Sequence, residues 1–256
     1  MTIDVMSFNL RYWNKGDGEN SWPNRRTAVV STIQKYQPMI MGTQEGLPEM
    51  LADLDGDLTS YRRLGQGRDA DGQGEHNAVY FDVNQVELVE QGQFWLSQTP
   101  SIPGSKSWDS SLPRICTWGI FRVKGQVDEF AVFNTHLDHE GEDARRLGAE
   151  LIWQEMSAYV EKGVPCILMG DFNCEPASLP IQLFRTHLTD ALEHMGAGGA
   201  TFHGFTGIGV GGWIDYIFVS PNVKVVEAEI IRDKVDGRFP SDHYPIRAKL
   251  SLQPQP

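Results

Sequence analysis

Apolar and polar positions along the chain follow two periods, one typical of strands and one typical of helices. Residues 3–10 alternate between apolar and polar side chains, and residues 164–169 form a continuous apolar run typical of a strand buried on both faces. Further strands are predicted at residues 39–43, 77–81, 86–96, 116–123, 129–137, 213–219, 223–231 and 244–250. The chain is therefore expected to be rich in β-structure.

Two segments have the spacing of helices. A helix is predicted over residues 22–36, because Pro23 suits a first helical turn and apolar residues follow at helical intervals. Residues 142–161 carry the longest helical pattern. Loops are predicted where glycine and proline cluster, at residues 65–74, 99–104 and 196–212. Many strands with interspersed helices predict an α/β fold in which helices cover a pair of sheets.

Polar side chains end several of the predicted strands. Asn9 ends the first strand, Glu45 follows the second, and His136 ends a later one. Asp171 and Asn173 come directly after the buried strand. Because chemistry in enzymes usually sits on loops and strand ends held by a rigid scaffold, these ends are candidate site positions.

The stretch Gly170-Asp171-Phe172-Asn173 is the strongest local motif. It places a carboxylate and a carboxamide in one tight turn, and both offer the hard oxygens that suit Mg²⁺ or Mn²⁺ or orient a water molecule. The same four residues are equally typical of an Asx turn with a capping asparagine. The motif alone does not decide between these interpretations.

Two further motifs contain histidine at a predicted strand end. His136 lies in the stretch NTHLDH at residues 134–139, and His243 follows Asp242. Histidine can act as a general acid or stabilise a developing negative charge, and Asp215 is a candidate to hold the second ring nitrogen of His243. Simple hydrogen bonding explains each motif equally well when it is taken alone. A zinc site at residues 136–139 is the other alternative, but few of the nitrogen and sulfur ligands that zinc prefers cluster there.

Composition narrows the class of protein. The chain has 256 residues, enough for one large domain, and a formal net charge of −12. Proteins that bind nucleic acids usually carry the opposite sign, so this acidity disfavours processive binding of duplex DNA. The three cysteines lack zinc-site spacing, no apolar run reaches the length of a membrane span, and the N-terminus lacks a secretory signal. A cytoplasmic location is expected, with a secreted mature form as the alternative.

Taken together, the strand-end residues resemble the motif set of the endonuclease/exonuclease/phosphatase superfamily, which includes DNase I, sphingomyelinases and inositol-phosphate 5-phosphatases. The resemblance covers nearly the whole chain and is carried, in chain order, by Asn9, Glu45, His136, Asp171, Asn173, Asp215, Asp242 and His243. It implies a four-layer α/β/β/α sandwich with two central mixed sheets. We expect residues 1–252 to form a single domain of this type and residues 253–256 to form a disordered tail.

The same resemblance implies Mg²⁺ or Mn²⁺ as the cofactor. Glu45 would be the principal metal ligand, supported by Asn9 and Asp242. Asp171 and Asn173 would position the attacking water or a second metal.

The resemblance also implies two catalytic histidines. His243, paired with Asp215, would act as a base or polarise the phosphate. His136 would stabilise the pentacovalent phosphate or protonate the leaving oxygen.

Three further residues are candidate substrate ligands. Arg11 stands two residues after Asn9, where abasic-site repair nucleases of this family usually carry an acid. This difference disfavours DNA repair and suggests a cation near the substrate phosphate. Arg114 is either a bidentate phosphate clamp or a surface arginine, and His76 either lines the mouth of the cleft or is an exposed loop residue.

The leading hypothesis is hydrolysis of a phosphomonoester or phosphodiester by a metal-activated water, in a small molecule, a lipid head group or a short nucleotide. A nuclease acting on DNA or RNA is the alternative. It would need a basic groove, and residues 62–68 are the only loop region with enough arginine to begin one. A non-catalytic binding module would have lost ligands, whereas every expected position is filled. No protein partner is predicted.

Overall fold

The computed structural model describes residues 1–208 and 211–252 of the chain. The predicted tail at residues 253–256 lies outside the described residues. The strands, in chain order, are β1 (Thr2–Asn9), β2 (Ile40–Gln44), β3 (Tyr61–Leu64), β4 (Val79–Asp82), β5 (Val86–Trp95), β6 (Ile115–Val123), β7 (Glu129–His136), β8 (Cys166–Asp171), β9 (Thr189–Asp190), β10 (Asp215–Val219), β11 (Val223–Ile230) and β12 (Ile246–Leu252).

The strands form two six-stranded mixed sheets. The first sheet has the order β11-β12-β1-β2-β4-β3, and the second has the order β5-β6-β7-β8-β10-β9. Each sheet contains one parallel pair at its centre, β1 with β2 and β7 with β8, among antiparallel neighbours. The carboxyl ends of both strands in each parallel pair therefore meet at one edge of their sheet.

Helices cover the outer face of each sheet. Their bounds are α1 (Trp22–Tyr36), α2 (Pro48–Asp57), α3 (Glu142–Glu161), α4 (Leu179–His187) and α5 (Ala191–His194), and a 3₁₀ segment spans Lys15–Asn20. Helices α1 and α2 pack on the outer face of the first sheet and α3 and α4 on that of the second, whereas α5 contributes Ala191 and Leu192 to the core between the sheets. The predicted four-layer α/β/β/α sandwich is confirmed.

The central core lies between the two sheets. Val5 and Ile246 of the first sheet pack against Val132, Ile167 and Ile217 of the second, and all five side chains are fully buried. Burying this apolar surface fixes the two sheets face to face, so that the ends of β1 and β2 lie opposite those of β7 and β8. No helix among residues 1–208 and 211–252 is long and apolar enough to cross a membrane.

Candidate active site

The strand-end residues come together because of strand pairing. In the parallel pair β1–β2, Asn9 lies beside Gln44, the residue before Glu45. In the parallel pair β7–β8, His136 lies beside Asp171. Asp215 opens β10 directly opposite Asp171 in the antiparallel ladder. Six separate segments, including the one with Asp242 and His243, thus deliver polar groups to one end of the sandwich.

These groups surround a cavity of about 560 Å³. Its wall is formed by charged, amide and apolar side chains. Its lining residues are Arg11, Tyr12, Glu45, Glu75, Leu112, Arg114, His136, His139, Asp171, Asn173, Phe202, Ile214, Asp242 and His243. A cavity of this size accommodates a small organic molecule.

Asn9 links two carboxylates at the floor of the cavity. Its Nδ2 donates to Glu45 Oε1 and to Asp171 Oδ2, both at 2.9 Å, while its Oδ1 accepts from the backbone N–H of Arg11. Asn9 thus faces the two acids with its amide nitrogen and not with the oxygen that the predicted metal ligand would use. In this arrangement it holds Glu45 and Asp171 at a fixed separation.

Asp171 lies at the centre of these polar site residues. Its Oδ1 accepts from the backbone N–H of Asn173 at 2.9 Å, and its Oδ2 lies 3.6 Å from His136 Nε2 and 3.7 Å from His243 Nε2. Burial, together with repulsion from Asp215, raises the pKa of the Asp171 carboxyl above its usual range. A carboxyl shifted in this way can exchange a proton near neutral pH.

His243 and Asp215 form a buried pair. Nδ1 of His243 lies 2.9 Å from Asp215 Oδ2, which leaves Nε2 directed toward Asp171. Burial alone would lower the pKa of His243, but the nearby carboxylates of Asp215 and Asp171 outweigh burial and raise it well above its usual value. The ring is therefore held as a cation at neutral pH.

His136 has a different environment, although it is equally buried. Its Nε2 is 3.0 Å from Asn173 Nδ2, which is a donor, so the proton of the neutral ring lies on Nδ1. Burial and the positive charges of Arg114 and Arg68 lower the pKa of His136 well below its usual value. The Nδ1 atom has no hydrogen-bond partner within the described part of the chain. The two histidines therefore differ in charge, one cationic and one neutral.

Three site residues have backbone conformations that side chains rarely adopt. Arg11, Glu45 and Asn173 have φ values of 54°, 62° and 47°, and each lies just beyond the end of a strand. The left-handed region costs a non-glycine residue about 1–2 kcal/mol, less for asparagine. Such conformations turn the chain sharply at the strand end and direct the side chain into the cavity.

Arg11 borders Asp242 on one side of the cavity. It forms a two-pronged ion pair with Asp17, both contacts at 3.0 Å, and its Nε lies 3.7 Å from Asp242 Oδ2. The pair with Asp17 raises the pKa of Arg11 above its already high value. Arg11 therefore supplies a permanent positive charge beside the acids.

Arg25, which was not predicted as a site residue from the sequence, stabilises the segments on the side of the cavity that contains Arg11. The residue is 1% exposed, and its guanidinium donates to the backbone carbonyls of Leu10, Arg11, Asn20 and Pro240. It thereby joins the segment after β1 to the segment that carries Asp242 and His243. Only the order Trp-Pro-x-Arg at the start of α1 marks this residue in the sequence.

Arg114 lies on the opposite wall and is buried, not a surface arginine. Its Nε donates to Asp138 Oδ2 at 3.2 Å, and Nη2 lies 2.9 Å from His139 Nδ1. Nη1 makes no hydrogen bond with residues 1–208 or 211–252. Arg114 can therefore donate into the cavity.

His76, predicted as a substrate ligand, is not part of the cavity wall. It is buried, its Nδ1 is 3.0 Å from the carbonyl oxygen of Gly74, and its backbone N–H donates to Gly46. Its neighbour Glu75 lines the cavity instead and was missed from the sequence. Both residues lie in the loop between β3 and β4, so no periodic signal in the sequence distinguishes the one that faces the cavity.

The arginines of residues 62–68 do not form an open basic groove. Arg63 pairs with Asp55 at 3.0 Å, and Arg68 pairs with Glu75 at 2.8 Å. Arg62 donates to backbone carbonyl groups. Paired charges attract a phosphate backbone less strongly than unpaired ones do, so this stretch lacks the feature that a nuclease groove needs.

Among the described residues, Glu45, Asp171 and His243 form one cluster, in which the two carboxylates could hold a metal ion and the protonated ring of His243 could not. One ligand atom of each lies within 4.8 Å of the others. Asp242, predicted as a ligand, is outside this cluster but lines the same cavity. The carboxylate oxygens present are hard donors of the kind that Mg²⁺ and Mn²⁺ prefer, so the residues fit the predicted cofactor.

Comparison with known proteins agrees with this geometry. A model of the Endonuclease/Exonuclease/phosphatase family matches residues 6–243. A solved structure of an endonuclease/exonuclease/phosphatase family protein from Bacteroides thetaiotaomicron is 35% identical with a TM-score of 0.93, covering 99% of this chain and 96% of that one. A mannosyl-6-phosphatase from the same organism is 36% identical with a TM-score of 0.90, covering 98% of this chain and 100% of that one.

A third structure, an endonuclease/exonuclease/phosphatase from Bacteroides vulgatus, is 33% identical with a TM-score of 0.93, covering 99% of this chain and 100% of that one. Among curated proteins, none matches the chain. The similarity to solved structures therefore extends over almost all of both chains in each comparison.

Proposed function

Because this chain belongs to the endonuclease/exonuclease/phosphatase family, whose members hydrolyse phosphate esters, we propose that it is a divalent-metal-dependent phosphomonoesterase acting on a small polar molecule. The observation that carries the proposal is the convergence of three carboxylates, those of Glu45, Asp171 and Asp242, with the cations of Arg114 and His243 on one cavity of small-molecule size. A mannosyl-6-phosphatase 36% identical to this chain makes a hexose 6-phosphate the first substrate to test.

Glu45 would hold Mg²⁺ or Mn²⁺ together with the carboxylate of Asp242, which leaves Asp171 available as a base. Asn9 donates to both Glu45 and Asp171, so it fixes the position of the base relative to the metal ligand. A divalent cation bound there supplies charge neutralisation of the phosphate and lowers the pKa of a water molecule that it binds.

Two cationic groups would orient the phosphate. Arg114 lines the cavity, and its Nη1 makes no hydrogen bond within the described ranges of the chain, while the cationic ring of His243 lines the same cavity. Donors fixed in advance, in a site shielded from water, stabilise the negative charge that develops on phosphoryl oxygens in the transition state.

Asp171 would act as the base, and His136 would help to position it. Asp171 can accept the proton of the attacking water, because its raised pKa brings it close to neutral. Neutral His136 lies beside Asp171, and its protonated Nδ1 is buried, so it would position Asp171 without donating a proton to the leaving oxygen. Asn173 contacts both residues and fixes their relative position.

Charge supports a small substrate over a nucleic acid. The chain has a net charge of −12, and Arg63 and Arg68 are each paired with an acid. A strand-tracking groove would need positive charge in excess of such pairs. The cations that line the cavity would instead bind a single phosphate group.

The proposal is tested with purified protein and Mn²⁺ on a panel of hexose 6-phosphates, p-nitrophenyl phosphate, bis(p-nitrophenyl) phosphate and single-stranded DNA. We expect phosphate release from the monoesters, its loss on addition of EDTA, and a decrease in kcat/KM of about 100-fold or more in Asp171→Asn and Asp215→Asn. The exposed Asp128→Asn is the control and should match the parent protein.

Two results would overturn the proposal. One is hydrolysis that is indifferent to EDTA under conditions in which the protein is stripped of metal. The other is faster cleavage of the diester or of DNA than of every monoester.

A further inference from the structure

Glu75 is a carboxylate in the cavity wall that the proposed phosphate chemistry does not use. It lines the cavity with Glu45 and Arg114, and its side chain is 16% exposed. Its two oxygens accept from Arg68, Oε2 from Nη1 at 2.8 Å and Oε1 from Nη2 at 3.0 Å. Each carboxylate oxygen can accept more than one hydrogen bond, so both retain acceptor capacity.

The loop that carries Glu75 is rigidly folded. The backbone of Arg68 donates to the Glu75 carbonyl at 3.0 Å, and Gly67 donates to Gly72 at 2.9 Å. A Cβ at Gly67 would lie 1.9 Å from the carbonyl oxygen of Gln73, so only glycine fits there. Glu75 is therefore fixed in place before any ligand arrives, which reduces the entropic cost of binding.

The same loop is tied to the catalytic strand ends. The backbone of His76 donates to the Gly46 carbonyl at 2.9 Å, next to Glu45, and Trp95 Nε1 donates to the Arg68 carbonyl at 2.7 Å. The position of Glu75 is thus set relative to Glu45. Repulsion from Glu45, added to burial, raises the pKa of Glu75, although the adjacent arginines oppose this effect.

The pair with Arg68 explains how a carboxylate can remain beside a phosphate site. The positive charges of Arg68 and Arg114 both lower the pKa of Glu75, so they offset the repulsion that a phosphate would cause. The Glu75 carboxylate would still repel a second anionic group on the substrate, because it has no proton to donate to that group. A neutral hydroxyl group, which donates its proton, meets a suitable partner.

We propose that Glu75, held by Arg68, accepts hydrogen bonds from hydroxyl groups on the alcohol part of the ester. The substrate class is then a phosphomonoester of a polyhydroxylated alcohol, such as a sugar or a sugar alcohol. This inference rests on the proposed function, because it takes the phosphate end of the same cavity as the reaction centre. Glu75 is a specificity-determining residue and takes no part in bond cleavage.

The test compares two substrates in the parent protein, Glu75→Gln and Glu129→Gln, each with Mn²⁺. The substrates are a hexose 6-phosphate and p-nitrophenyl phosphate, which lacks hydroxyl groups. Replacing a hydroxyl-to-carboxylate bond by a weaker one should lower the ratio of the two kcat/KM values by about 10- to 100-fold in Glu75→Gln. Glu129, which pairs with Arg122 and lies outside the cavity lining, is the matched control and should leave the ratio unchanged.

A series of deoxy substrates tests in the parent protein whether hydroxyl groups are recognised, even if Glu75→Gln folds poorly. With the parent protein, one of the monodeoxy hexose 6-phosphates should lose about 10- to 100-fold in kcat/KM. Glu75→Gln should lose nothing further on that deoxy compound, because the two changes remove the same hydrogen bond.

The outcomes separate this inference from the proposed function. Equal losses on both substrates in Glu75→Gln would show a structural or metal-binding role and overturn the inference. Turnover of p-nitrophenyl phosphate without any preference for hydroxylated esters would also overturn it and leave the proposed function standing. If the parent protein hydrolyses no monoester, the proposed function fails and the assignment of Glu75 fails with it.

Discussion

Asp138 organises the wall of the cavity that carries Arg114. Its Oδ2 accepts from Ser111 Oγ at 2.7 Å and from Arg114 Nε at 3.2 Å, and its Oδ1 accepts from the backbone of Gly141 at 2.8 Å. Burial alone would raise the pKa of Asp138, but these hydrogen bonds outweigh burial and lower it well below its usual range. The folded protein therefore binds a proton at this carboxyl less readily than the unfolded chain does.

This depressed pKa predicts the sign of a pH effect. Asp138 stabilises the fold above the pKa of the unfolded carboxyl, about 4, and that contribution is lost as the pH falls through the lower folded pKa. Urea unfolding at pH 7, 5 and 3 should show Asp138→Asn destabilised at pH 7, with a gap to the parent protein that narrows on acidification. A gap that is constant with pH would contradict this account, and exposed Asp128→Asn is the control.

At the residue scale, sequence reasoning located polar groups that follow apolar strands. Asn9, Glu45 and Asp171 each come after such a run, and strand pairing within each sheet together with packing of the two sheets brings them together. Glu75 could not be found in this way, since it lies in a loop without periodicity. Its place depends on a tertiary hydrogen bond from His76 to Gly46.

At the scale of elements, β8 reaches the site through a close contact with β7. Gly170 has a φ of 151°, and a Cβ there would lie 2.0 Å from the carbonyl oxygen of Thr135. A side chain at this position would therefore push apart the two strands that carry Asp171 and His136. The contact explains why the motif before Asp171 contains glycine.

Gly170→Ala should consequently lower the free energy of unfolding by about 1–3 kcal/mol or more. Gly56→Ala in α2 is the matched substitution, because a Cβ there meets nothing within 4 Å, and it should raise the free energy of unfolding by about 0.4–1 kcal/mol. Both values are measured by urea unfolding. A Gly170→Ala protein as stable as the parent would refute the contact as a constraint.

Long, periodic elements were predicted well from sequence, whereas short ones were not. The predicted helix at residues 142–161 is confirmed as α3, and the apolar strands lie within a few residues of their predicted bounds. Helices α2 and α4 were missed, although each begins with proline in its first turn and buries three apolar side chains. Each helix spans ten residues or fewer and lacks a side-chain cap, so its apolar face alone provided too weak a signal.

At the scale of the whole molecule, acidic side chains are concentrated at the end of the two sheets that borders the cavity. Glu45, Asp171, Asp215 and Asp242 lie close together, and burial raises the pKa of Asp171 and Asp242. Their mutual repulsion opposes folding at neutral pH. A cation that binds only the folded state should therefore stabilise the molecule.

Thermal unfolding tests this coupling without measuring activity. At a Mn²⁺ concentration of about 100 times its Kd, binding contributes about 2.7 kcal/mol, which for a chain of this size raises Tm by about 5–10 °C. Glu45→Gln should show a much smaller rise. An equal rise in both proteins would place the ion elsewhere, and the absence of a rise in the parent protein would contradict the metal assignment.

We also propose that residues 1–252 behave as one domain. Side chains from both sheets share a single central core, so neither sheet can bury its inner face without the other. The unfolding curves described above should accordingly have one transition.

The place of β1 in its sheet has a consequence for how a cell makes the protein. One neighbour of β1 is β12, and the N-terminal amine of Met1 donates to the carbonyl of Leu252, 251 positions along the chain. During translation, β1 leaves the ribosome long before that neighbour exists, and its unpaired edge can associate with other nascent chains. A chaperone that shields this edge, or slow synthesis at low temperature, should therefore increase the yield of native protein.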